Sequence, residues 1–109
     1  MVEAAGIELP KPLKMIVQFV RLKSALNEGD LLERAREREP RFRAIPGLLQ
    51  KYYVKMDTPG TYGGIYIWDS RESLMAFKAS ELAASIPAAY EVIEAPDVEV
   101  MDLMFQLRE

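Results

Sequence analysis

Residues 48–68 read LLQKYYVKMDTPGTYGGIYIW, two extended runs on either side of Thr58-Pro59-Gly60. Proline followed by glycine suits the two central positions of a type II turn, because proline presets φ near −65° and glycine tolerates the positive φ that follows. The stretch therefore predicts a β-hairpin of Leu48–Asp57 and Thr61–Trp68. On the second strand Ile65 and Ile67 share one face. Tyr62, Tyr66 and Trp68 share the other, with Gly64 leaving a gap between the rings. On the first strand Tyr52 and Tyr53 point to opposite sides, and the pattern does not choose which faces inward.

Working outward, Leu13–Leu22 predicts a strand with Met15, Val17 and Phe19 on one face and Ile16, Val20 and Leu22 on the other, Gln18 among them. A helix follows, capped by Asn27 or Asp30, with Leu31, Ala35, Arg38, Phe42 and Ile45 at helical spacing. Pro40 interrupts that pattern and predicts an end or kink near Glu39. After the hairpin, Asp69 or Ser70 caps a second helix carrying Leu74, Phe77, Leu82 and Ile86, which Pro87 is expected to stop. Ala88–Pro96 carries the weakest pattern and reads as either a short helical turn or an irregular return. Asp97–Leu107 predicts a last strand, apolar on both sides.

The order is βαββαβ, an α+β, ferredoxin-like sandwich whose four-stranded antiparallel sheet carries its helices on one face. The first and last strands are apolar on both faces, so the face away from the helices needs a cover. A bare face of that size exceeds the apolar patch that monomers usually tolerate. The economical cover is a second copy, sheet against sheet, giving a homodimeric α/β barrel. Residues 13–109 read as this single domain, and residues 1–12, punctuated by Gly6, Pro10 and Pro12, as a flexible arm.

The 109 residues contain neither cysteine nor histidine. That excludes disulfides, thiolate catalysis, Cys/His zinc sites, histidine-ligated haem and imidazole-based triads. No phosphate-cradling glycine loop, dinucleotide fingerprint or G-x-S-x-G elbow occurs, and the carboxylates show no metal-ligand clustering. Arg34, Arg36, Arg38, Arg41 and Arg43 interleave with Glu33, Glu37 and Glu39, which reads as a solvated, paired helix face. A net charge of −3 and the lack of any nucleic-acid motif point away from nucleic acid as a partner. No run of roughly 18 apolar residues spans a membrane, and the first residues show no secretory apolar core, so the expected location is cytoplasmic.

Glu39-Pro40-Arg41-Phe42, Ile45-Pro46-Gly47-Leu48 and above all Gly63-Gly64-Ile65-Tyr66-Ile67-Trp68, with Ser73 and Phe77 behind, resemble the dimeric α/β-barrel superfamily. Within it they are similar to the YdhR-like monooxygenase-type proteins, relatives of the antibiotic biosynthesis monooxygenases. The resemblance runs from about Leu13 to Leu107 and implies a hydrophobic barrel pocket faced by Trp68, the aromatic that ends the third strand. A haem-degrading branch uses a helix histidine, whose place falls at about Lys78, and a first-strand asparagine, nearest to Gln18. Without histidine that branch is disfavoured, and quinol-oxidising relatives that use one are a poor guide.

The candidate substrate-binding residues are Trp68, Tyr66, Tyr62 and Gln18. The candidate catalytic groups are Lys78 and Tyr53, with Lys51 a further polar group. Such aromatics commonly do no more than pack an interface, yet Gly63-Gly64 clears side chains from beside the rings and would let a flat substrate stack there. The reading expected from these residues is a cofactor-independent monooxygenase acting on a small aromatic or polycyclic phenol, with no metal, haem, flavin or nicotinamide. Its base must be a lysine or carboxylate brought toward neutrality by burial, or a water chain. The alternatives are a non-catalytic binder of a small hydrophobic ligand and an isomerase or lyase on the same scaffold.

Overall fold

The computed structural model describes residues 14–108, and the arm expected over residues 1–12 lies outside them. The elements are β1 (Ile16–Lys23), α1 (Glu28–Arg43), β2 (Leu48–Lys55), β3 (Thr61–Trp68), three short helices α2 (Arg71–Lys78), α3 (Glu81–Ala84) and α4 (Ile86–Ala89), and β4 (Asp97–Asp102). The strands form one sheet in the order β2-β3-β1-β4, antiparallel throughout. This is the ferredoxin-like arrangement read from the sequence. The β2–β3 turn closes with Thr61 N–H donating to Thr58 O at 3.1 Å, and Gly60 takes a φ of +80°.

The register sorts side chains into rows. Gln18, Tyr66 and Lys51 stand side by side across β1, β3 and β2, and Val20, Gly64 and Tyr53 form the next row. These rows lie under the helices, where Ile16, Tyr66 and Trp68 pack with Phe42 of α1 and with Leu74 and Phe77 of α2. The alternate rows hold Val17, Ile67 and Met101, then Phe19, Ile65 and Tyr52. No helix of the described residues covers them, and Tyr52 and Met101 are exposed.

The structure corrects four local expectations. Helix α1 runs through Pro40 to Arg43. Phe42, buried between Tyr66 and Phe77, anchors the last turn, and Ala44 N–H donates to Pro40 O at 3.2 Å, so the ladder resumes past the missing donor. The second helix is broken into three pieces. Ser80 caps α3 by accepting from Ala83 N–H while its hydroxyl donates to Phe77 O, competing with the helical ladder. Pro87 sits in the first turn of α4, where its missing N–H has no cost, so it starts a helix and does not stop one. Finally β1 begins at Ile16 and β4 ends at Asp102, with only the Leu103 N–H to Met15 O bond beyond them.

Candidate functional site

The decisive local feature is a bulge. Between Leu48 and Gln50 the β2–β3 register shifts, leaving Leu49 unpaired. One extra residue turns every following side chain over. Leu48, Lys51 and Tyr53 therefore face the helices, while Gln50 and Tyr52 face the open side. A lysine is in this way directed into an aromatic interior.

The Lys51 amine lies 3.8 Å from the Phe42 ring centre, 4.3 Å from that of Tyr53 and 4.6 Å from that of Tyr66. Burial, with the Arg38 charge adding to it, lowers its pKa from 10.5 to about 7. Aromatic faces favour the ammonium form, but the loss of hydration outweighs them here. Around the amine the phenols move the other way. Tyr53 is pushed up to about 12, chiefly by desolvation and then by neighbouring Tyr90 and Glu39. Burial likewise raises Tyr66, and raises Tyr90 against the opposing pull of Arg38. The cluster thus holds neutral hydroxyl donors beside an amine that gives up its proton near neutrality.

These groups border a small cavity of about 40 Å³, open on one side, between the sheet and the helical layer. Its floor is Val20, Leu22, Tyr62, Gly64 and Tyr66, its far wall Leu31, Ile86 and Tyr90, and its mouth Lys51 and Tyr53. Gly64 makes room for it, since a Cβ there would stand 3.2 Å from both Lys51 Cε and the Tyr66 ring. A second groove beside Lys51 runs past Phe42, Leu48 and Glu39.

The sequence-predicted residues divide. Tyr62, Tyr66, Tyr53 and Lys51 line the cavity together. Trp68 does not line it: the indole is fully buried, stacked on Tyr66 at 5.9 Å between centroids, and donates from Nε1 to Gln18 Oε1 at 3.0 Å. Gln18 and Trp68 are a hydrogen-bonded pair behind the pocket floor. Lys78 is exposed at the end of α2 and borders none of these cavities. Among the described residues no three acidic side chains converge on a point that could hold a metal ion.

Solved structures with this arrangement of strands and helices include the cofactor-independent oxygenase SnoaB from Streptomyces nogalater. It matches at a TM-score of 0.71 and 12% identity over 88% of this chain and 99% of that one. A candidate antibiotic biosynthesis monooxygenase from Bordetella bronchiseptica matches at 0.72 and 16% identity, over 84% of this chain and 99% of that one. ActVA-Orf6, a monooxygenase from Streptomyces coelicolor solved with the ligand nanaomycin D, matches at 0.68 and 15% identity, over 91% and 96%. No family model matches the sequence, and no curated protein is similar to it by sequence. The monooxygenase-like fold thus carries here a lysine–tyrosine cavity and no imidazole.

Two residues of the site escaped the sequence reading. Tyr90 falls in the stretch of weakest pattern, where α4 ends and Glu91 takes a positive φ of 46° to turn the chain back. The Ser24 hydroxyl donates to Tyr90 O at 2.6 Å and pins that return against β1. Arg38 was grouped with a solvated face. It lies instead over the rings of Phe42 and Tyr90 and donates from Nη2 to Ser85 Oγ at 2.9 Å. Its place in the apolar stripe with Leu31, Ala35 and Phe42 was the available signal.

Proposed function

We propose that this protein is a monooxygenase that binds a small aromatic phenol in the Lys51–Tyr66 cavity and lets molecular oxygen oxidise it directly. The observation that carries the reading is the Lys51 amine, neutral near pH 7 at the mouth of a tyrosine-lined cavity, in a fold shared with oxygenases. A phenol whose hydroxyl faces Lys51 gives its proton to the amine. The resulting phenolate is electron-rich enough to pass electrons to oxygen. One oxygen atom enters the ring as a carbonyl and the other leaves as water, so that a naphthol and O₂ become a naphthoquinone and H₂O. The protein contributes the base, the stacking surface of Tyr66 and the exclusion of bulk water. Tyr66 and Tyr62 bind substrate in this scheme, while Trp68 and Gln18 hold Tyr66 in place.

The working form in this proposal is a homodimer. Val17, Phe19, Ile65 and Ile67 on the open sheet face, flanked by Tyr52 and Met101, supply an apolar surface for a second copy. A stable pairing of this kind buries roughly 2,000 Å² or more in total. Among the described residues no helix is long and apolar enough to cross a membrane.

The test is oxygen uptake by the purified protein with naphthol, with the quinone followed by absorbance. One O₂ consumed per quinone, lost in Lys51→Met, supports the proposal. Tight naphthol binding without uptake would favour the non-catalytic binder, and turnover under anaerobic conditions the isomerase or lyase.

A further inference from the structure

In the same cluster stand the Arg38 guanidinium, the Lys51 amine and the Tyr90 hydroxyl, with no carboxylate to meet them. Lys51 Nζ lies 3.8 Å from the Phe42 ring centre, and the Arg38 guanidinium carbon lies 5.7 Å from it and 5.5 Å from that of Tyr90. The ion pairs of the described residues use Lys23, Arg34, Arg43, Lys55 and Arg71, and neither Arg38 nor Lys51. Arg38 has one bond to a neutral hydroxyl, Ser85 Oγ, while its Nε is buried without an acceptor. Tyr90 is 6% exposed, and its hydroxyl is also buried with no partner among the described residues, on the wall of the cavity.

Buried donors without acceptors are costly, and a buried charge without a counter-charge more so. Lys51 and Tyr90 line the cavity, and Arg38 lies over the Tyr90 ring just behind its wall, the pattern of a site that receives its missing acceptor from a ligand. The groups facing the cluster from the surrounding elements are Arg38 and Glu39 of α1, Lys51 and Tyr53 of β2, Tyr66 of β3 and Tyr90 at the end of α4. Glu39 is already taken by Arg43, at 2.7 Å. The balance left over is positive.

We infer that Arg38, Lys51 and Tyr90 form an anion-receiving end to the cavity, so that its ligands are aromatic molecules bearing a negatively charged oxygen, a carboxylate or a phenolate. This deepens the oxygenase reading and rests on it for the identity of the reacting ligand, but binding itself requires no turnover. In the reaction Tyr90 holds the phenolate oxygen once Lys51 has taken its proton, and Arg38, over the Tyr90 ring, is a positioning residue.

The experiment measures binding of naphthoate and of the uncharged naphthalenemethanol by calorimetry at pH 7 and low salt. Naphthoate is expected to bind at least about tenfold more tightly, as a charge-assisted contact does. Arg38→Gln should remove most of that preference and leave naphthalenemethanol unchanged. Tyr90→Phe keeps the ring and deletes only the hydroxyl beside Arg38, so it should fold and still weaken naphthoate severalfold. Equal affinity for the two ligands, or a preference that survives both substitutions, would overturn the inference. Anion preference without oxygen uptake would sustain this site while refuting the oxygenase. Oxygen uptake with no anion preference would do the reverse.

Discussion

The amine of Lys51 sits 3.8 Å from the centre of the Phe42 ring, held there by a one-residue bulge at Leu49 that turns β2 over. Without the bulge, alternation from Leu48 would send Lys51 and Tyr53 to the open face. One unpaired residue thus separates a solvated lysine from a base near neutrality.

That placement has a consequence for stability. In the folded protein Lys51 loses its proton near pH 7, and in the unfolded chain near 10.5. Between those values the unfolded state binds more protons, so stability rises with pH, by at most about 1.4 kcal/mol per unit. Above pH 10 the sign reverses, because Tyr53 keeps its proton to about 12 when folded and to 10.0 when unfolded. Urea unfolding of the parent should therefore show its midpoint rising from pH 7 to 10. Lys51→Met should flatten that rise and stabilise the protein most at pH 6. A rise of the same size in both would contradict the account.

Gln18 and Trp68 make a buried pair at 3.0 Å under Tyr66. Gln18→Leu should leave the indole N–H without an acceptor and cost about 1–3 kcal/mol. In a Trp68→Phe background the same change should cost markedly less, because the donor is gone. Equal costs in the two backgrounds, measured by denaturant unfolding, would mean that the bond contributes nothing.

Gly64 is the void beside Tyr66. Gly64→Val should fill the cavity floor, press on the Lys51 stem and weaken naphthoate binding by about tenfold or more. Circular dichroism should remain that of a folded protein, because Gly64 has an ordinary strand φ. Undiminished binding would place the ligand elsewhere.

The hairpin and the βαββαβ order of elements were legible because turn chemistry and hydrophobic periodicity are local signals. Tyr62, Tyr66 and Trp68 were correctly placed on one face, yet depth within that face was not readable. Alternation makes Trp68 and Tyr66 equivalent, and only the third layer, with Leu74 and Phe77, seals one and leaves the other on the cavity. Lys51 was ambiguous because a bulge has no composition of its own here. Tyr90 was invisible because its position depends on a Ser24 hydroxyl 66 residues away in sequence. The pull of Pro40 against helix was real, but Phe42 in the core outweighed it.

The open sheet face makes its own prediction. Ile67, opposite Val17, lies near its centre. Ile67→Glu should yield a monomer of about half the parent's mass in sedimentation at micromolar concentration, because a charge on this face cannot be desolvated unpaired. A parent that already sediments as a 12.4 kDa monomer would remove the proposed dimer.

The account turns on the protonation of one amine. Titration of the lysine side chains by NMR, with carbon-13 at Cε, reads it without any substrate. One resonance should shift with a midpoint near pH 7 and vanish in Lys51→Met. A Lys51 resonance that titrates near the ordinary 10.5 would contradict the proposed base.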